Sequence, residues 1–571
     1  MRTRPRFGIP PWTVGYPAKW LGRDAIAGLT VTALLVPEGL AYAQLAGVPP
    51  QTAFYAAPVG LLAYAWLGSS RQLVVAVSSA VAVLSFETVS RVAAPHTLEF
   101  IAATAGLALM VGAIAVIAGL LRLGRIAQFF SESVLDGFVT GLALTIIIKQ
   151  LPKLFGIEGG DGGSFRRLRE LVLNLDESQG RTMIVGFGSL LLMIMIEQRL
   201  KKLPAALVVL IAGIVFMELS GWADEGVAVV GDIRAGLIGP ALPHIPFNDI
   251  LGMLPWAIGI VLVAFAESIG PARLFARSHG YRISADQELV ALGGANLAAG
   301  ALQGFSIGSS LSKSAANDTA GARSPMSLVV AAASTALVAL FFSGLFSLLP
   351  EATLAAIVIV AVWSMVKIDA LRRLGRVRRT DLYLGLSALI GVLVFDPLIG
   401  LLLAVAISIV ALAVRSSRID MTLLGLDDET EAIAALGSEI GVAEIPGIMM
   451  LRPEHGMFFA NAAGLTDLVL AATRPPARTV AVVLDLEATS DLDVPGADAL
   501  GELAGELARA DVSLHLARVH HMSRGVIKRS GVLDLIGADH VHARVYDAVA
   551  WIVSNSPDDF GPALVRRFRR E

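Results

Sequence analysis

Long apolar segments alternate with short polar connections over the first 420 residues of the chain. A helix needs about 20 residues to cross the hydrocarbon core of a bilayer, and several segments are shorter than that. We count about fourteen segments, seven on each side of a polar connection at 221–249. Because seven is odd, two equivalent halves would cross the membrane in opposite directions, as in an inverted repeat. The segments are 24–46, 51–67, 73–92, 100–121, 126–148, 182–196, 205–219, 250–275, 288–302, 304–317, 328–349, 353–366, 382–395 and 398–414.

The tenth segment, GFSIGSSLSKSAAN at 304–317, is polar although it lies among apolar segments. Irregular backbone at membrane depth persists only where it is buried in protein or lines a wet cavity. The single cation of the segment, Lys313, would cost roughly 2.5–3.5 kcal/mol there, so it indicates a functional partner. A helix that begins near Ser310 would point its free N–H groups at an anion. The alternative is an ordinary loop outside the membrane.

The third segment holds the same rank in the first half as the tenth holds in the second. Its polar residues Ser78 and Ser79 follow the strand-like sequence LVVAV. Short or interrupted segments at matching positions of two halves indicate the midplane binding site of a transporter.

Of the carboxylates inside apolar segments, we single out Glu38 and Glu267, because an ionisable side chain at membrane depth is a functional candidate by default. Glu38 follows Pro37 in the first segment, and a proline removes a helix hydrogen bond, so this pattern predicts a break near mid-membrane. Glu267 lies in the eighth segment, within VLVAFAESIG. We expect Glu267 to carry a coupled proton; the alternative is a permanently protonated side chain that bonds to a neighbouring helix. Asp24 is expected to cap the start of the first segment.

Composition agrees with a polytopic helical membrane protein, since 55% of the residues are hydrophobic, 16% are charged and the mean hydropathy is +0.70. Cysteine is absent, which excludes disulfides, thiolate metal sites and cysteine nucleophiles. There is no P-loop, catalytic triad or zinc-ligand spacing, so we expect no enzyme activity, no cofactor and no bound metal. No cleavable signal peptide is evident, and no nucleic-acid partner is expected.

Basic residues test the orientation of the segments, because cytoplasmic loops carry an excess of lysine and arginine. With the N-terminus inside, almost every basic connection falls on the cytoplasmic side. The exception is the connection 153–181, which is placed outside and yet contains Arg166, Arg167 and Arg169. The pattern predicts a multi-pass protein of the inner cell membrane with a cytoplasmic N-terminal segment. The basic residues assigned to the inside are Arg71, Arg122, Arg125, Arg199, Lys201, Lys202, Arg273, Arg277, Arg282, Arg323, Lys367, Arg372, Arg373, Arg376, Arg378, Arg379, Arg415 and Arg418.

The pattern changes after residue 418, where strands of alternating hydrophobicity are followed by short helical segments. This alternation is typical of a small α/β domain. The adjacent His520 and His521 would point apart, so a solvated turn is favoured over a metal site. The predicted strands are 448–453, 457–461, 480–486 and 512–518, and the predicted helices are 462–472, 497–508, 523–530 and 546–553. The domains are an N-terminal segment at 1–23, a transmembrane domain at 24–420, a linker at 421–445, the α/β domain at 446–556 and a basic tail at 557–571.

Several motifs stand in order along the chain: VPEGLAYAQLAGVPP, GSSRQLVVAVSSAV, FAESI with GYRISADQELVALGGAN, and GSSLSKSAANDTAGA. Together they resemble the sulfate permease (SulP) family of anion transporters, and the C-terminal part resembles a STAS domain. The resemblance spans nearly the whole chain, from about residue 24 to about residue 552. It implies an all-α membrane domain of about fourteen segments, in a 7+7 inverted repeat of the uracil-permease type with a core and a gate, followed by a small α/β STAS domain. In that fold, half-helices three and ten face each other and hold the anion, flanked by segments one and eight.

The resemblance also implies an anion site at the starts of the third and tenth segments, completed by the first. The chain departs from the family at three places. Ala76 and Val77 stand where Gly-Pro is common, Glu38 stands where glutamine is frequent, and Lys313 stands where arginine is frequent. Lysine is a point charge without the bidentate fork of arginine. The implied substrate-binding residues are Glu38, Ala41, Tyr42, Ser78, Ser79, Ala80, Ser310, Leu311, Ser312 and Lys313.

The predicted function is secondary active transport of a small anion, of the sulfate, bicarbonate or dicarboxylate class, by proton symport and alternating access. The corresponding glutamate of the family implies the proton-coupling role of Glu267. Two alternatives stay open: an uncoupled anion channel or exchanger, and a membrane receptor that signals through the STAS domain. Residues 493–496 (DVPG) occupy the region where switching relatives carry a phosphorylated serine, which disfavours the receptor. We expect a homodimer in the lipid membrane, with the STAS domain in the cytoplasm.

Overall fold

The computed structural model divides into two compact units, Met1–Ser408 and Ile409–Glu571. The first unit contains the apolar segments up to Ser408, and the second contains the end of the last apolar helix and the alternating strands and helices. The residues that the structure describes are 10, 12–13, 15–95, 97–124, 132–160, 162–200, 203–233, 236, 239, 243–395, 397–418, 420–427, 432–437, 442–473 and 479–568.

Helices build the first unit, and every predicted apolar segment contains one of them; the start of the fifth segment, 126–131, lies outside the described residues. Among the described residues, six helical stretches are long and apolar enough to cross a membrane, and further apolar helices are shorter. The helices are α1 (Leu21–Leu45), α2 (Thr52–Leu67), α3 (Ser79–Val89), α4 (Leu98–Leu120), α5 (Glu132–Phe155), α6 (Ser164–Leu173), α7 (Gly180–Arg199), α8 (Ala205–Ser220), α9 (Phe247–Ser278), α10 (Ala285–Ala301), α11 (Leu311–Thr319), α12 (Met326–Phe341), α13 (Glu351–Trp363), α14 (Ile368–Val377), α15 (Arg379–Val394) and α16 (Pro397–Ser417).

Two of these helices, α6 and α14, are short surface helices that the segment count does not include. Helix α6 follows α5 and carries the arginines that violate the expected charge distribution of the loops. Its Arg166 pairs with Glu170 one turn away at 2.9 Å, and its Arg167 donates to the carbonyl oxygen of Gly162 at 2.8 Å. These arginines are therefore part of an amphipathic helix and not of an extended loop.

The first helix is continuous through Pro37, so the predicted break there is wrong. Proline costs α1 a hydrogen bond, but the helix is buried on both sides of it, from Leu35 to Ala43. Packing against neighbouring helices keeps the backbone helical, as it commonly does for prolines within membrane proteins.

Asp24 does not cap α1 but lies within its first turn. Its buried carboxylate accepts hydrogen bonds from the backbone N–H of Arg323 at 2.6 Å and from the hydroxyl of Ser324 at 2.8 Å. The predicted cap is wrong because these partners lie in the connection between α11 and α12. Asp24 thereby ties the start of α1 to that connection.

Two very short strands cross in the middle of the first unit. Strand β1 (Val75–Ala76) pairs with β2 (Gly308–Ser309) in antiparallel register, with Val75 opposite Ser309. Helix α3 begins shortly after β1, and helix α11 begins shortly after β2. The third and tenth segments therefore each contain a half-helix that follows a short strand. The sequence predicts the strand-like LVVAV and a helix start near Ser310, but it does not predict β2.

In its described residues, the second unit is a seven-stranded sheet with helices packed on it. The strand order is β4-β3-β6-β7-β8-β9, with β5 paired to β3. The pairs from β6 to β9 are parallel, whereas β3 runs antiparallel to β6. The elements are β3 (Met421–Asp427), β4 (Ile433–Ala435), β5 (Val442–Ala443), β6 (Ile448–Pro453), α17 (Ala462–Thr473), β7 (Ala481–Asp485), α18 (Val494–Arg509), β8 (Ser513–Ala517), α19 (His521–Arg529), α20 (Val532–Ile536), β9 (Val541–His542), α21 (Val545–Asn555) and α22 (Pro562–Phe568).

Three features of this unit correct the sequence prediction. The predicted linker 421–445 contains β3, β4 and β5, because the backbone of MTLLGLD pairs with β4, β5 and β6. The predicted strand 457–461 has only an isolated bridge from Met457 to Leu492. The predicted tail forms α22, whose Phe568 is buried against the ring of Tyr546 at 5.1 Å. The end of the tail, 569–571, lies outside the described residues.

A cluster of histidines lies under α21 at one edge of the sheet. His515 is fully buried on β8; its Nδ1 lies 3.1 Å from Nε2 of His542, and its Nε2 lies 3.1 Å from the hydroxyl of Ser513. The ring of His540 stacks on it at 4.2 Å, and Trp551 covers the group. Burial, together with the charges of His540 and His542, lowers the pKa of His515 to about 3.

We predict that the second unit loses stability as the pH falls below about 6.5, the usual pKa of an unfolded histidine. Because the pKa of His515 is lower in the folded chain, the stabilisation is complete above that pH and is lost progressively toward pH 3. Hydrogen exchange of the β8 and β9 amides in the intact chain, corrected for intrinsic rates, measures this loss. His515→Leu should remove most of the pH dependence, whereas His455→Leu, at an exposed position, should keep it. Equal pH dependence in the parent and in His515→Leu would contradict the prediction.

Candidate functional site

The ladder of β1 and β2 directs the N-termini of α3 and α11 toward each other. Two bonds extend it: the N–H of Ser310 donates to the carbonyl oxygen of Val74 at 3.1 Å, and the N–H of Val74 donates to the hydroxyl of Ser314 at 2.8 Å. Because the strands are antiparallel, α3 and α11 leave the ladder at opposite ends and in opposite directions. Both helices therefore begin at the ladder, and both N-termini face it.

The starts of α3 and α11 carry N–H groups that have no partner within their helices, as at every helix start. Ser78 holds the capping position of α3, but its side chain makes no capping hydrogen bond. Ser310 caps α11 through a long bond, 3.4 Å from the N–H of Lys313, and its hydroxyl lies 3.1 Å from that of Ser312. Each helix start carries roughly half a positive charge. This arrangement favours an anion between the two helices.

Lys313 and Glu38 form an ion pair beside these helix starts. The lysine side chain is 0% exposed and the glutamate side chain is 7% exposed, so water screens neither charge. The lysine ammonium also lies 5.2 Å from the centroid of the Tyr42 ring, a cation–π distance. The cation that the sequence places in the site is therefore already balanced by a carboxylate from α1.

The structure gathers most of the predicted binding residues around this ion pair. Tyr42 faces both Glu38 and Ser79, and the hydroxyl of Ser79 lies 3.5 Å from the sulfur of Met365. The predicted set divides by exposure. Buried members are Glu38, Ala41, Tyr42, Ser78, Ser79, Ala80 and Lys313; Ser310 is half-buried, and Leu311 and Ser312 are exposed.

Two predicted members are alanines, and neither can donate a side-chain hydrogen bond to an anion. Ala80 is fully buried in the first turn of α3, and Ala41 is buried on α1. Ala80 can contribute only its backbone N–H, which belongs to the unpaired first turn. Ala41 contributes packing beside Tyr42.

Glu267 is half-buried on α9 and lies within electrostatic range of both Tyr42 and Lys367. In the described part of the chain, Glu267 has neither a hydrogen bond nor an ion pair, whereas Lys367 pairs with Asp136 at 2.6 Å. The alternative of a glutamate bonded to a neighbouring helix is therefore not what the structure shows.

Two buried asparagines, which the sequence patterns above do not single out, hold the ladder in place. Asn296 of α10 bonds both backbone groups of Ile307, each at 2.9 Å. Asn317 of α11 donates to the carbonyl oxygen of Gln72 at 3.0 Å. Both residues stand in the quoted motifs, in GGAN and in SAAN, which is the signal that could have identified them.

Ion pairs and hydrogen bonds join α5 to the helices of the site. Glu87 of α3 pairs with Lys149 of α5. Lys153, one turn further along α5, donates to the side-chain oxygen of Gln44 on α1 at 3.1 Å and lies 3.1 Å from Glu351 at the start of α13. These contacts connect the two site helices α1 and α3 with α5 and α13.

Among the described residues, no group of three or more His, Asp or Glu side chains is placed to hold a metal ion. His520 and His521 are exposed at the start of α19.

Comparison with known proteins identifies the group to which the chain belongs. A family model described as the sulfate permease family matches residues 21–388, and a STAS domain model matches residues 439–549. The chain belongs to the sulfate permease family. A "Probable sulfate transporter" of Mycobacterium tuberculosis is 32% identical to this permease over 535 residues, which is 94% of this chain and 96% of the relative. "High affinity sulfate transporter 2" of Stylosanthes hamata is 28% identical over 567 residues, 95% of this chain and 86% of the relative.

Solved structures share the fold of this permease. Murine solute carrier 26 family member A9, an anion transporter in the inward-facing state, gives a TM-score of 0.89 at 22% identity and covers 96% of this chain and 94% of its own. The transmembrane domain of a cyanobacterium bicarbonate transporter gives a TM-score of 0.60 at 19% identity, over 69% of this chain and 98% of its own. The predicted combination of a helical membrane domain and a STAS domain is confirmed. The chain is a multi-pass membrane transporter of anions, and neither its family nor its relatives are enzymes.

We predict that Lys313→Gln lowers the thermal stability of the permease, because it leaves the Glu38 carboxylate buried without its partner. Breaking a buried pair costs about 3–5 kcal/mol, less if the orphaned carboxylate takes up a proton. The double variant Glu38→Gln/Lys313→Gln should recover most of that loss. Lys367→Gln is the matched control, because its pair with Asp136 is partly exposed and should contribute at most about 1 kcal/mol. Additive losses in the double variant would show that the two side chains do not depend on each other.

Proposed function

We propose that this permease is a proton-coupled symporter of small inorganic or organic anions that works by alternating access. The observation that carries the proposal is the meeting of two half-helix starts with the buried pair of Lys313 and Glu38. Two helix starts of roughly half a charge each, beside a neutral ion pair, leave a net charge of about +1. That charge selects anions, and it is modest enough to allow their release.

The substrate is proposed to belong to the sulfate, bicarbonate or dicarboxylate class. Relatives that match almost the whole chain are named sulfate transporters. One solved structure of the same fold is the transmembrane domain of a bicarbonate transporter. Backbone N–H groups at helix starts and the hydroxyls of Ser78, Ser79, Ser310 and Ser312 donate to any oxyanion of this size.

Uptake into liposomes tests the proposed function directly. The purified chain is reconstituted, and labelled sulfate, bicarbonate, a dicarboxylate and chloride are each offered with and without an inward proton gradient. Accumulation of an anion above its equilibrium level, dependent on the gradient, supports symport. Equilibration that ignores the gradient would favour an uncoupled channel or exchanger, and absence of any flux with retained anion binding would favour a receptor.

Glu267 is proposed to carry the coupled proton. It is a carboxylate within a membrane helix, it makes no hydrogen bond or ion pair in the described part of the chain, and it lies near the Tyr42 ring that also contacts the ion pair. A carboxylate without a fixed partner can gain and lose a proton without breaking a structural bond. Its position beside the site couples that event to the anion.

We predict that Glu267→Gln abolishes the acceleration of uptake by a proton gradient and preserves anion exchange, because the amide mimics a carboxyl that never releases its proton. Flux of a labelled anion in liposomes, with and without the gradient, measures both. Glu197→Gln, a change of the same kind at the end of α7, is the control and should leave coupling intact. If gradient-driven accumulation survives in Glu267→Gln, the proton is carried elsewhere, with Glu38 the next candidate.

Glu38 is proposed to adjust the charge of the site. An ionised Glu38 holds the net charge near +1, and a protonated Glu38 would release Lys313 and raise the charge to about +2. The attraction scales with the product of the charges, so a dianion gains more from that change than a monoanion. An approaching negative charge itself favours protonation of a carboxylate.

We predict that binding of a dianion strengthens as the pH falls, over a range where the ionisation of the ligand is constant. Calorimetry of sulfate binding across this range measures the effect. Glu38→Gln should flatten the dependence and raise dianion affinity at neutral pH, because the carboxylate no longer competes for Lys313. A monoanion such as chloride is the internal control and should show a smaller change. Identical pH profiles for the parent and Glu38→Gln would leave the glutamate with a structural role only.

The arrangement in the membrane is part of the proposal. We place the N-terminal segment and the STAS domain in the cytoplasm, treat the two halves of the membrane domain as an inverted repeat, and expect a homodimer. Helix α3 lies in the third segment of the first half, and α11 lies in the third segment of the second half. This match supports the repeat, since each is a short half-helix that follows a paired strand. The absence of native cysteine allows a single introduced cysteine in each loop to report its side of the membrane.

A further inference from the structure

The short helix α14 and its flanks carry a dense group of basic residues, which we call the arginine helix, Lys367 to Arg379. This stretch has a single acidic residue, Asp369. It lies between α13 and α15, two helices built on apolar segments, so its position is next to the membrane. Its basic residues are Lys367, Arg372, Arg373, Arg376, Arg378 and Arg379.

The helix packs on the bundle with its apolar side. Leu371 and Leu374 lie against Gly385 of α15, where an added Cβ would stand 3.2 Å and 3.7 Å from their methyl groups. Helical geometry places residues three and four apart on the same side of a helix. Arg372, Arg373 and Arg376 accordingly lie outside this packed side, and all three are exposed.

Most of these cations lack an acidic partner. Lys367 pairs with Asp136, and Arg372 makes a 3.3 Å contact with Asp369, which is almost fully exposed. In the described part of the chain, the other four arginines form no ion pair. A group of like charges without counterions is costly unless an anionic surface faces it.

Two exposed aromatic residues indicate the level of the arginine helix in the membrane. Trp363 ends α13 and is 59% exposed, and Tyr383 lies in the first turns of α15 and is 65% exposed. Tryptophan and tyrosine prefer the boundary between hydrocarbon and water, where their rings are buried and their polar groups are hydrated. The arginines between them are therefore at the depth of lipid headgroups.

We propose that the arginine helix binds the headgroups of anionic phospholipids. The guanidinium groups of Arg373 and Arg376 can each donate two parallel hydrogen bonds to a phosphate. The same stretch is anchored to α5, because the backbone N–H of Lys367 donates to the hydroxyl of Thr140 at 3.2 Å and its ammonium pairs with Asp136. Bound headgroups would thus hold the connection between α13 and α15 against α5. The proposal does not depend on which anion is transported.

Native mass spectrometry of the full chain in detergent tests this surface by counting bound lipid. The chain is titrated with phosphatidylglycerol, with phosphatidylcholine of the same acyl chains, and with phosphatidylglycerol in the presence of inorganic phosphate. The test variant is Arg373→Gln/Arg376→Gln. The matched control is Arg524→Gln/Arg529→Gln, which removes two exposed arginines from α19 of the second unit.

The expected result is preferential retention of phosphatidylglycerol by the parent and by the control. Each basic residue near an anionic surface contributes about fivefold in affinity, so the test variant should bind about 25-fold more weakly. Higher salt should weaken binding to the parent more than binding to the test variant. Equal retention by the parent and the test variant, or equal retention of both lipids, would overturn the proposal. Full displacement by millimolar phosphate would also overturn it, because the surface would then be a general phosphate site.

Discussion

A lysine that is fully buried in the middle of a membrane domain dictates much of the structure around it. The charge of Lys313 can be held there only if an opposite charge and oriented dipoles compensate its lost hydration. Glu38 supplies the charge and the Tyr42 ring supplies a cation–π contact at 5.2 Å. Since Glu38 belongs to α1 and Lys313 belongs to α11, the pair fixes these two helices to each other. The site is therefore assembled by the same interaction that balances its charge.

Buried polar side chains from other segments hold the irregular backbone of the site in place. Irregular backbone near β1 and β2 must find partners inside the protein, because lipid offers none. Asn296 satisfies both backbone groups of Ile307. Glu288 of α10 accepts from the hydroxyl of Tyr64 at 2.6 Å and from the N–H of Ser69 at 2.8 Å, and so holds the connection that leads into β1. Asp24 does the same for the connection after α11. Each half-helix is thereby positioned by a carboxylate from another segment.

The apolar pattern predicts most of this fold, because long apolar runs in a bilayer have few options besides helices. The polar run 304–317 and its single cation, Lys313, also indicate the place of the candidate site, because polar and charged residues are costly at membrane depth. Pro37 shows that a local pattern does not always predict the backbone. A proline breaks an isolated helix, but α1 continues through Pro37 because packing against neighbouring helices stabilises it. The pairing of Glu38 with Lys313 joins residues that are far apart in the sequence, and no periodicity predicts it. The sequence pattern also does not predict the strands in 421–445. Two of them, β4 and β5, are very short and form only by pairing with β3.

The charge balance of the site links its structure to its selectivity. A lysine without Glu38 would hold a dianion tightly and release it slowly, since both helix starts add to its charge. A neutral site would depend on the helix starts alone, which contribute roughly half a charge each. With the pair in place the field is intermediate, because the carboxylate of Glu38 offsets the ammonium of Lys313. A glutamine at position 38 would carry no charge to offset the lysine, so the glutamate is the side chain that sets this balance. If Glu38 exchanges a proton as proposed, the charge that binds the anion follows the pH and the valence of that anion.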